Sequence, residues 1–289
     1  MLYFDHAATT PVHPKVVKKM EDVSRQDYGN PSSVYSSGRV AKSIIEDARS
    51  QIASLIDASP SEIYFTGSGT EANNIVLWSM LYNEKKHVIT SAIEHPAVLK
   101  VLEELQYFGI TFDVLPVDST GLVDPKDVEM AIKKDTGMIS IMYVNNEIGT
   151  IQSLQKLIEI SKKRSILFHS DCVQVIGKLP LSVLKIEADY MTFSAHKFYG
   201  PKGIGFLYRR KGAPLRPLVI GGGQESNIRA GTENISGIAG LGVAAKLAYQ
   251  NLNSRIDHLF QLEKYFKNNI IQKLPHIIFN GNNDQHIPG

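Results

Sequence analysis

Among its 289 residues the sequence has a single cysteine, Cys172. That excludes an intramolecular disulfide and any zinc site built from several thiolates. Charge of one sign is also scarce: 31 basic residues stand against 29 acidic ones, a formal net charge of +2. So small an excess gives no field for drawing in nucleic acid or an anionic membrane. Long apolar runs are missing, and the short ones are broken by charge, so no membrane-spanning helix is expected. The opening Met1-Leu2-Tyr3-Phe4-Asp5-His6 lacks a basic region followed by an apolar core and does not read as a signal peptide. There are no internal repeats and no low-complexity tracts. His169 and Asp171 lack a third ligand at zinc spacing, so no metal site is expected. These absences point to a cytoplasmic protein of one large domain, or one large and one small.

What is present is an alternation of short β-rich runs and amphipathic helical stretches. Strands are predicted at 63–66, 87–90, 111–115, 138–144, 166–169, 190–193 and 204–208. Helices are predicted at 71–81, 97–107, 125–133 and 153–163. Such alternation implies an α/β fold with a mainly parallel sheet covered by helices on both faces. Ligands of such sheets collect at the carboxyl ends of the strands. From about Leu241 the pattern becomes long and helical, through Leu247, Ile256, Leu262 and Phe266. The polar turn Asn280-Gly281-Asn282-Asn283-Asp284 then precedes Gly289 and looks like the start of a second domain.

The chemistry gathers at the predicted strand ends. Ser194-Ala195-His196-Lys197 follows the run ending at Phe193. A lysine there can form a Schiff base with an aldehyde cofactor, with Ser194 and His196 holding that cofactor's phosphate. An ordinary solvated lysine on a surface loop is the plainer alternative. Gly67-Ser68-Gly69-Thr70-Glu71 opens a helix whose free first-turn amides favour an anion; it is also a common strand-to-helix turn. It lacks the Gly-Lys-Ser/Thr ending of a nucleotide-binding P-loop. Asp171 can hold a pyridine nitrogen protonated, or cap a turn. Gln174 is an amide donor near the same edge, and Asn145 or Asn146 can reach a cofactor oxygen or stabilise a turn. His95 can stack on a ring and move protons, or cap the helix that follows. The glycine-rich segment from Gly221, with Arg229 and Thr232, offers a further cation and hydroxyl for an anion, or is a mobile linker.

Several motifs in order resemble the cysteine desulfurases of the class V aminotransferase family. They are YFDHAATTPVHP from Tyr3, YGNPSS from Tyr28, FTGSGTEANN from Phe65, EHPAV from Glu94 and VNNEIG from Val144. They continue as HSDCVQ from His169, TFSAHKFYGPKGIG from Thr192, and GGGQE from Gly221 with RAGTEN from Arg229. The resemblance implies pyridoxal 5'-phosphate and the fold type I transferase architecture, with a mainly parallel seven-stranded sheet in the large domain. A small domain, incomplete here, would come from the two termini. It divides the chain into an arm at 1–14, a large cofactor-binding domain at 15–250, and the start of the small domain at 251–289.

It also implies roles. Lys197 binds the cofactor aldehyde and moves protons, and His95 stacks on the ring. Asp171 pairs with the ring nitrogen, while Gln174 and Asn146 contact the phenolic oxygen side. Gly69, Thr70, Ser194 and His196 bind the phosphate, and Thr232 reaches the phosphate of the other subunit of a homodimer. The implied reaction takes L-cysteine to L-alanine and passes sulfur, as persulfide, to a scaffold for iron–sulfur cluster assembly or to a tRNA-thiolation protein. Neither direct nucleic-acid binding nor membrane association is implied. The family's nucleophilic cysteine and its substrate-carboxylate arginine lie further along than Gly289, so this chain is expected to bind the cofactor but not to form persulfide by itself. Cys172 is expected to be a buried filler. Another class V lyase or transaminase activity, or a non-catalytic binding or regulatory role, are the alternatives.

Overall fold

A computed structural model describes residues 2–288; Met1 and Gly289, the outermost residues of the expected arm and second-domain start, lie outside the described residues. Two helices that the sequence pattern did not signal come first, α1 (Pro14–Gln26) and α2 (Ser36–Leu55). Then follow β1 (Ile63–Thr66), α3 (Gly69–Trp78), β2 (His87–Ser91), α4 (Pro96–Leu105), β3 (Thr111–Leu115) and α5 (Pro125–Ala131). After them come β4 (Thr136–Ser140), α6 (Leu154–Lys163), β5 (Leu167–Asp171), α7 (Val183–Ile186), β6 (Tyr190–Ser194) and β7 (Gly205–Arg209). Helices α8 (Ile235–Gln250) and α9 (Leu252–Lys273) close the series.

The seven strands form one sheet in the order β1-β7-β6-β5-β4-β2-β3. It is mainly parallel, as expected, and β7 alone runs against its neighbours β1 and β6. A tight return after Lys197 produces that reversal, where a helical crossover would have kept the direction. Every residue of β1, β2, β4 and β6 is buried, which is why these strands read as continuous apolar runs. One face packs against α3 and α4 through Ile75, Val76, Val98 and Leu102. The other packs against α1, α2, α6 and α8 through Val16, Ile52, Leu157 and Leu241.

Helix starts follow local chemistry. His13, His95 and Asp124 each precede a proline and accept a backbone N–H two residues on, capping α1, α4 and α5. Helix α8 nests against α2 because Gly242 brings the backbones together; a Cβ there would lie 2.8 Å from the Ala48 Cβ.

Two expectations about elements are corrected. The strand expected to reach Val144 ends at Ser140, and Val144 instead forms an isolated bridge with Ile151 across the Asn145–Gly149 turn. The long helix expected from Leu241 is two helices, broken at Asn251, whose side-chain amide donates to the Leu247 carbonyl at 2.8 Å. Beyond α9 the chain returns to that turn: the Ile287 amide donates to the Gly149 carbonyl at 3.0 Å, and Ile151 to Gln285 at 2.8 Å.

Candidate active site

Because β2, β4, β5 and β6 are parallel, their carboxyl ends share one edge, and the residues just beyond them meet there. A cavity of about 460 Å³ opens at this edge. Gly69, Thr70, His95, Asn146, Asp171, Gln174, Ser194, His196 and Lys197 all line it. Thr232 does not: it is exposed and lies outside the cavity lining.

Lys197 is half-buried, ending a single turn that follows β6. Its Nζ donates to the carbonyls of Ala7 at 2.6 Å and Ala8 at 2.8 Å. Burial pulls its pKa below the usual lysine range, against the opposing pull of Asp171, Asp5 and Glu147. The N-terminal segment is laced to this turn. Thr10 donates its amide at 2.9 Å and its hydroxyl at 2.8 Å to the His196 carbonyl, and its hydroxyl accepts the Tyr199 amide at 2.7 Å. His196 Nδ1 lies 3.1 Å from Thr9 Oγ1. Burial, then the Lys197 and Lys202 cations, push the His196 ring down to about 4, so it meets a ligand as a neutral hydrogen-bonding group.

Asp171 ends β5 and is buried. Its carboxyl accepts from Asn73 Nδ2 at 2.7 Å and from the Val173 amide at 3.0 Å. Asn73 is held in turn by Thr192, whose hydroxyl donates to Asn73 Oδ1 at 2.5 Å. Burial raises the Asp171 pKa, and these donors, His95 and Lys197 pull it back. A buried carboxyl bonded to neutral donors leaves its charge unmatched, a good match for a protonated ring nitrogen.

His95 caps α4, accepting the Ala97 amide on Nδ1 at 3.0 Å. In the neutral ring the proton therefore sits on Nε2. The cap does not take the ring out of the cavity, which His95 also lines. At the start of α3, Ser68 Oγ takes the Glu71 amide at 3.1 Å, leaving the Gly69 and Thr70 amides without intrahelical acceptors. A Cβ on Gly69 would lie 2.6 Å from Val173 Cγ2, so only glycine lets this turn sit against the wall. Two amides at a helix start, with Ser194 and His196 beside them, suit a phosphate.

The asparagine pair divides its work. Asn145 builds the turn, its Oδ1 accepting from Glu147 and Ile148 and its Nδ2 donating to Ile93, while Asn146 lines the cavity. Gln174 lines the cavity with its carboxamide already bonded to the Ala7 carbonyl and to Lys178.

One expectation fails. Arg229 was to offer a cation for an anion, but its guanidinium is paired with Glu71, Nε donating to Oε1 at 2.8 Å, and it is not part of the cavity lining. Cys172 is fully buried, and burial pushes its thiol far above the ordinary range, as suits a filler.

Sequence reasoning missed Asn73, Glu94, Lys178 and the Ala7 and Ala8 carbonyls. Asn73 carried a signal, being a poor helix former inside α3 and therefore in want of a partner. The alanines carried none, since they act through their backbone. Glu94 is buried; its Oε1 accepts from Ser91 Oγ at 2.7 Å and from the Met142 amide at 2.8 Å, fastening the loop that carries His95.

The residues present thus fit pyridoxal 5'-phosphate: an amine for its aldehyde, a buried carboxyl for its ring nitrogen and a helix start for its phosphate. Comparison with known proteins agrees. The family described as Aminotransferase class-V matches residues 2–289. The chain is 44% identical to the cysteine desulfurase IscS of Dictyoglomus turgidum, over 99% of this chain and 74% of that protein. It is 43% identical to the cysteine desulfurase IscS of Methanosarcina thermophila, over 99% and 71%. Among solved structures, a NifS-like protein superposes with a TM-score of 0.96 at 40% identity, over 99% of this chain and 80% of that one. A structure described as SspA in complex with cysteine superposes at 0.83 with 39% identity, over 85% and 72%. The chain belongs to the class-V aminotransferase family, among its pyridoxal-phosphate-dependent cysteine desulfurases.

Proposed function

We propose that the protein converts L-cysteine to L-alanine and releases the sulfur for transfer as a persulfide. The observation that carries this reading is the convergence of Lys197, Asp171 and His95 on one cavity that the Gly69–Thr70 helix start also lines. Pyridoxal 5'-phosphate, when bound, supplies an electrophilic aldehyde and an electron-withdrawing ring that stabilises negative charge at the substrate Cα. Lys197 provides the amine for that aldehyde and afterwards carries protons at its Nζ. Asp171, oriented by Asn73, holds a proton on the ring nitrogen through its carboxylate. His95 would stack on the ring, with Nε2 as its N–H. Asn146 and Gln174 face the phenolic oxygen side, and Gly69, Thr70, Ser194 and His196 take the phosphate. In the sulfur step a thiolate attacks the substrate sulfur to form an S–S bond, the C–S bond breaks with its electron pair left on Cβ, and Cβ takes up a proton to become the methyl of alanine. Cys172, buried and held protonated, is not that thiolate. On this reading the accepting thiol comes from outside the residues of this sequence.

The same reading carries a homodimer, with Thr232 serving the neighbouring copy's phosphate; the exposure of Thr232 away from its own cavity supports it. It carries a sulfur-acceptor scaffold or tRNA-thiolation protein as partner, and a cytoplasmic setting. Among the described residues no helix is long and apolar enough to cross a membrane. It also carries the division at 14 and 250: α8 is packed into the core, whereas α9 has no buried residue.

The test is an absorbance spectrum of the purified protein with pyridoxal 5'-phosphate, before and after L-cysteine, repeated with Lys197→Ala. A visible band that depends on Lys197 and responds to cysteine is expected. A folded protein with no such band would sink the proposal.

A further inference from the structure

Lys178 belongs to none of the motifs above, yet it contacts the cavity wall. The chain leaves β5, turns back at Gly177, which has a positive φ of 76°, and returns the Lys178 side chain to Gln174. Lys178 Nζ lies 2.5 Å from Gln174 Oε1. At its other end, Gln174 Nε2 donates to the Ala7 carbonyl at 3.0 Å, the same oxygen that Lys197 Nζ reaches at 2.6 Å.

An ammonium has three donors and no acceptor, so the atom facing Lys178 must be the amide oxygen. Turning the carboxamide over would set an NH₂ against an ammonium and one carbonyl oxygen against another. The bond is charge-assisted and therefore strong enough to decide between the two orientations. With Oε1 committed, the NH₂ faces Ala7 and the cavity. One of its two N–H groups goes to Ala7, and the second is free for a ligand.

We infer that Lys178 is a positioning residue, locking the Gln174 carboxamide so that the cavity wall presents an N–H donor to an anionic oxygen of the bound cofactor. The same lock steadies the Ala7 carbonyl that holds Lys197. The inference rests on the proposed function for the identity of that oxygen; the lock itself does not. The charge on Lys178 is easily lost, because burial and repulsion from Lys197 bring it down to about 8. Lys197 is the charged group acting on Lys178, and Asp171, Asp5 and Glu147 act on Lys197.

The experiment compares wild type, Lys178→Met and Lys178→Arg as cofactor-loaded proteins, each shown to be folded by circular dichroism. The readout is the pH midpoint of the Lys197-dependent visible band. Loss of a donor and of a nearby positive charge both favour holding a proton in the cavity. Lys178→Met is therefore expected to raise the midpoint by about half a pH unit or more, roughly threefold in proton affinity. Lys178→Arg, which keeps charge and donors, is expected to return it toward wild type. A loaded, folded Lys178→Met protein with the wild-type midpoint overturns the inference and leaves the proposed function standing. A wild type with no Lys197-dependent band overturns the proposed function and the cofactor part of the inference. The lock is read separately in cofactor-free protein from the side-chain amide resonances of Gln174. They are expected to follow a titration near pH 8 in wild type and to lose it in Lys178→Met; resonances indifferent to Lys178 overturn it.

Discussion

Glu225 offers the sharpest test of what holds the cavity's scaffold. Its carboxylate, 3% exposed, accepts both terminal nitrogens of Arg49, each at 2.8 Å, and the Phe65 amide at 2.7 Å. Arg49 is itself 11% exposed and lies over the Phe65 ring, 4.7 Å from its centroid. The pair therefore fastens the loop at 224–227 to β1, the strand that delivers the chain into the Gly67–Thr70 turn. That loop is strained: Glu225, Ser226 and Asn227 have positive φ values of 45°, 54° and 65°. Glu225→Ala would leave the buried Arg49 guanidinium only the exposed Glu46 carboxylate, 3.2 Å from its Nε, and the Ile63 carbonyl, and would leave the Phe65 amide without its acceptor. Removing one partner of a buried ion pair costs about 3–5 kcal/mol. That is a large share of the roughly 5–15 kcal/mol by which a domain is stable. Urea unfolding followed by circular dichroism should show the loss. Because a cation that has lost its buried carboxylate and keeps only the exposed Glu46 is the main cost, Arg49→Met combined with Glu225→Ala should be more stable than Glu225→Ala alone. A loss below about 1 kcal/mol, the range of an exposed pair, would refute the reasoning.

Other outcomes follow from the same geometry. Asp171→Asn keeps the size and the Val173 contact but removes the charge that would hold the ring proton; alanine formation, measured with an added thiol acceptor, should fall by roughly two orders of magnitude. Burial pushes Glu94 up to about 8, so the folded state keeps a proton that the unfolded state loses near pH 4.5. Stability should therefore fall as pH rises from about 4.5 to about 8, and urea midpoints should show a gentler fall across pH 5–8 in Glu94→Gln. His169, pushed down to about 3 by burial, works in the opposite sense: its contribution grows as pH rises from about 3 toward 6.5. Cys172 should resist a thiol reagent in the folded protein and react on denaturation, and Cys172→Ala should keep the Lys197-dependent band; rapid labelling of native protein would contradict its burial.

Much of the site was legible because parallel strands collect their following residues at one edge. Gly69, Asp171, Ser194 and Lys197 each come just after, or at the end of, a run recognisable by its apolarity, so locating the runs located the residues. Residues acting across the chain were hidden. Asn73 reaches Asp171 from 98 positions away, and Ala7 reaches Lys197 from 190. Arg229 looked free in sequence, but packing brings Glu71 to it. Helices α1 and α2 escaped notice although capping marked the first of them, with His13 ahead of Pro14.

The order of apolar runs and helical periods determined the α/β class, the mostly parallel sheet and the edge at which chemistry gathers, because burial of a face imposes its period on nearby residues. The tertiary structure alone decided that β7 runs antiparallel, that the final helical stretch breaks at Asn251 and that the N-terminal carbonyls hold Lys197. It alone decided that Lys178 fixes Gln174. Those features depend on which distant backbone and side-chain groups pair once water is excluded, and a local pattern carries no record of such pairings.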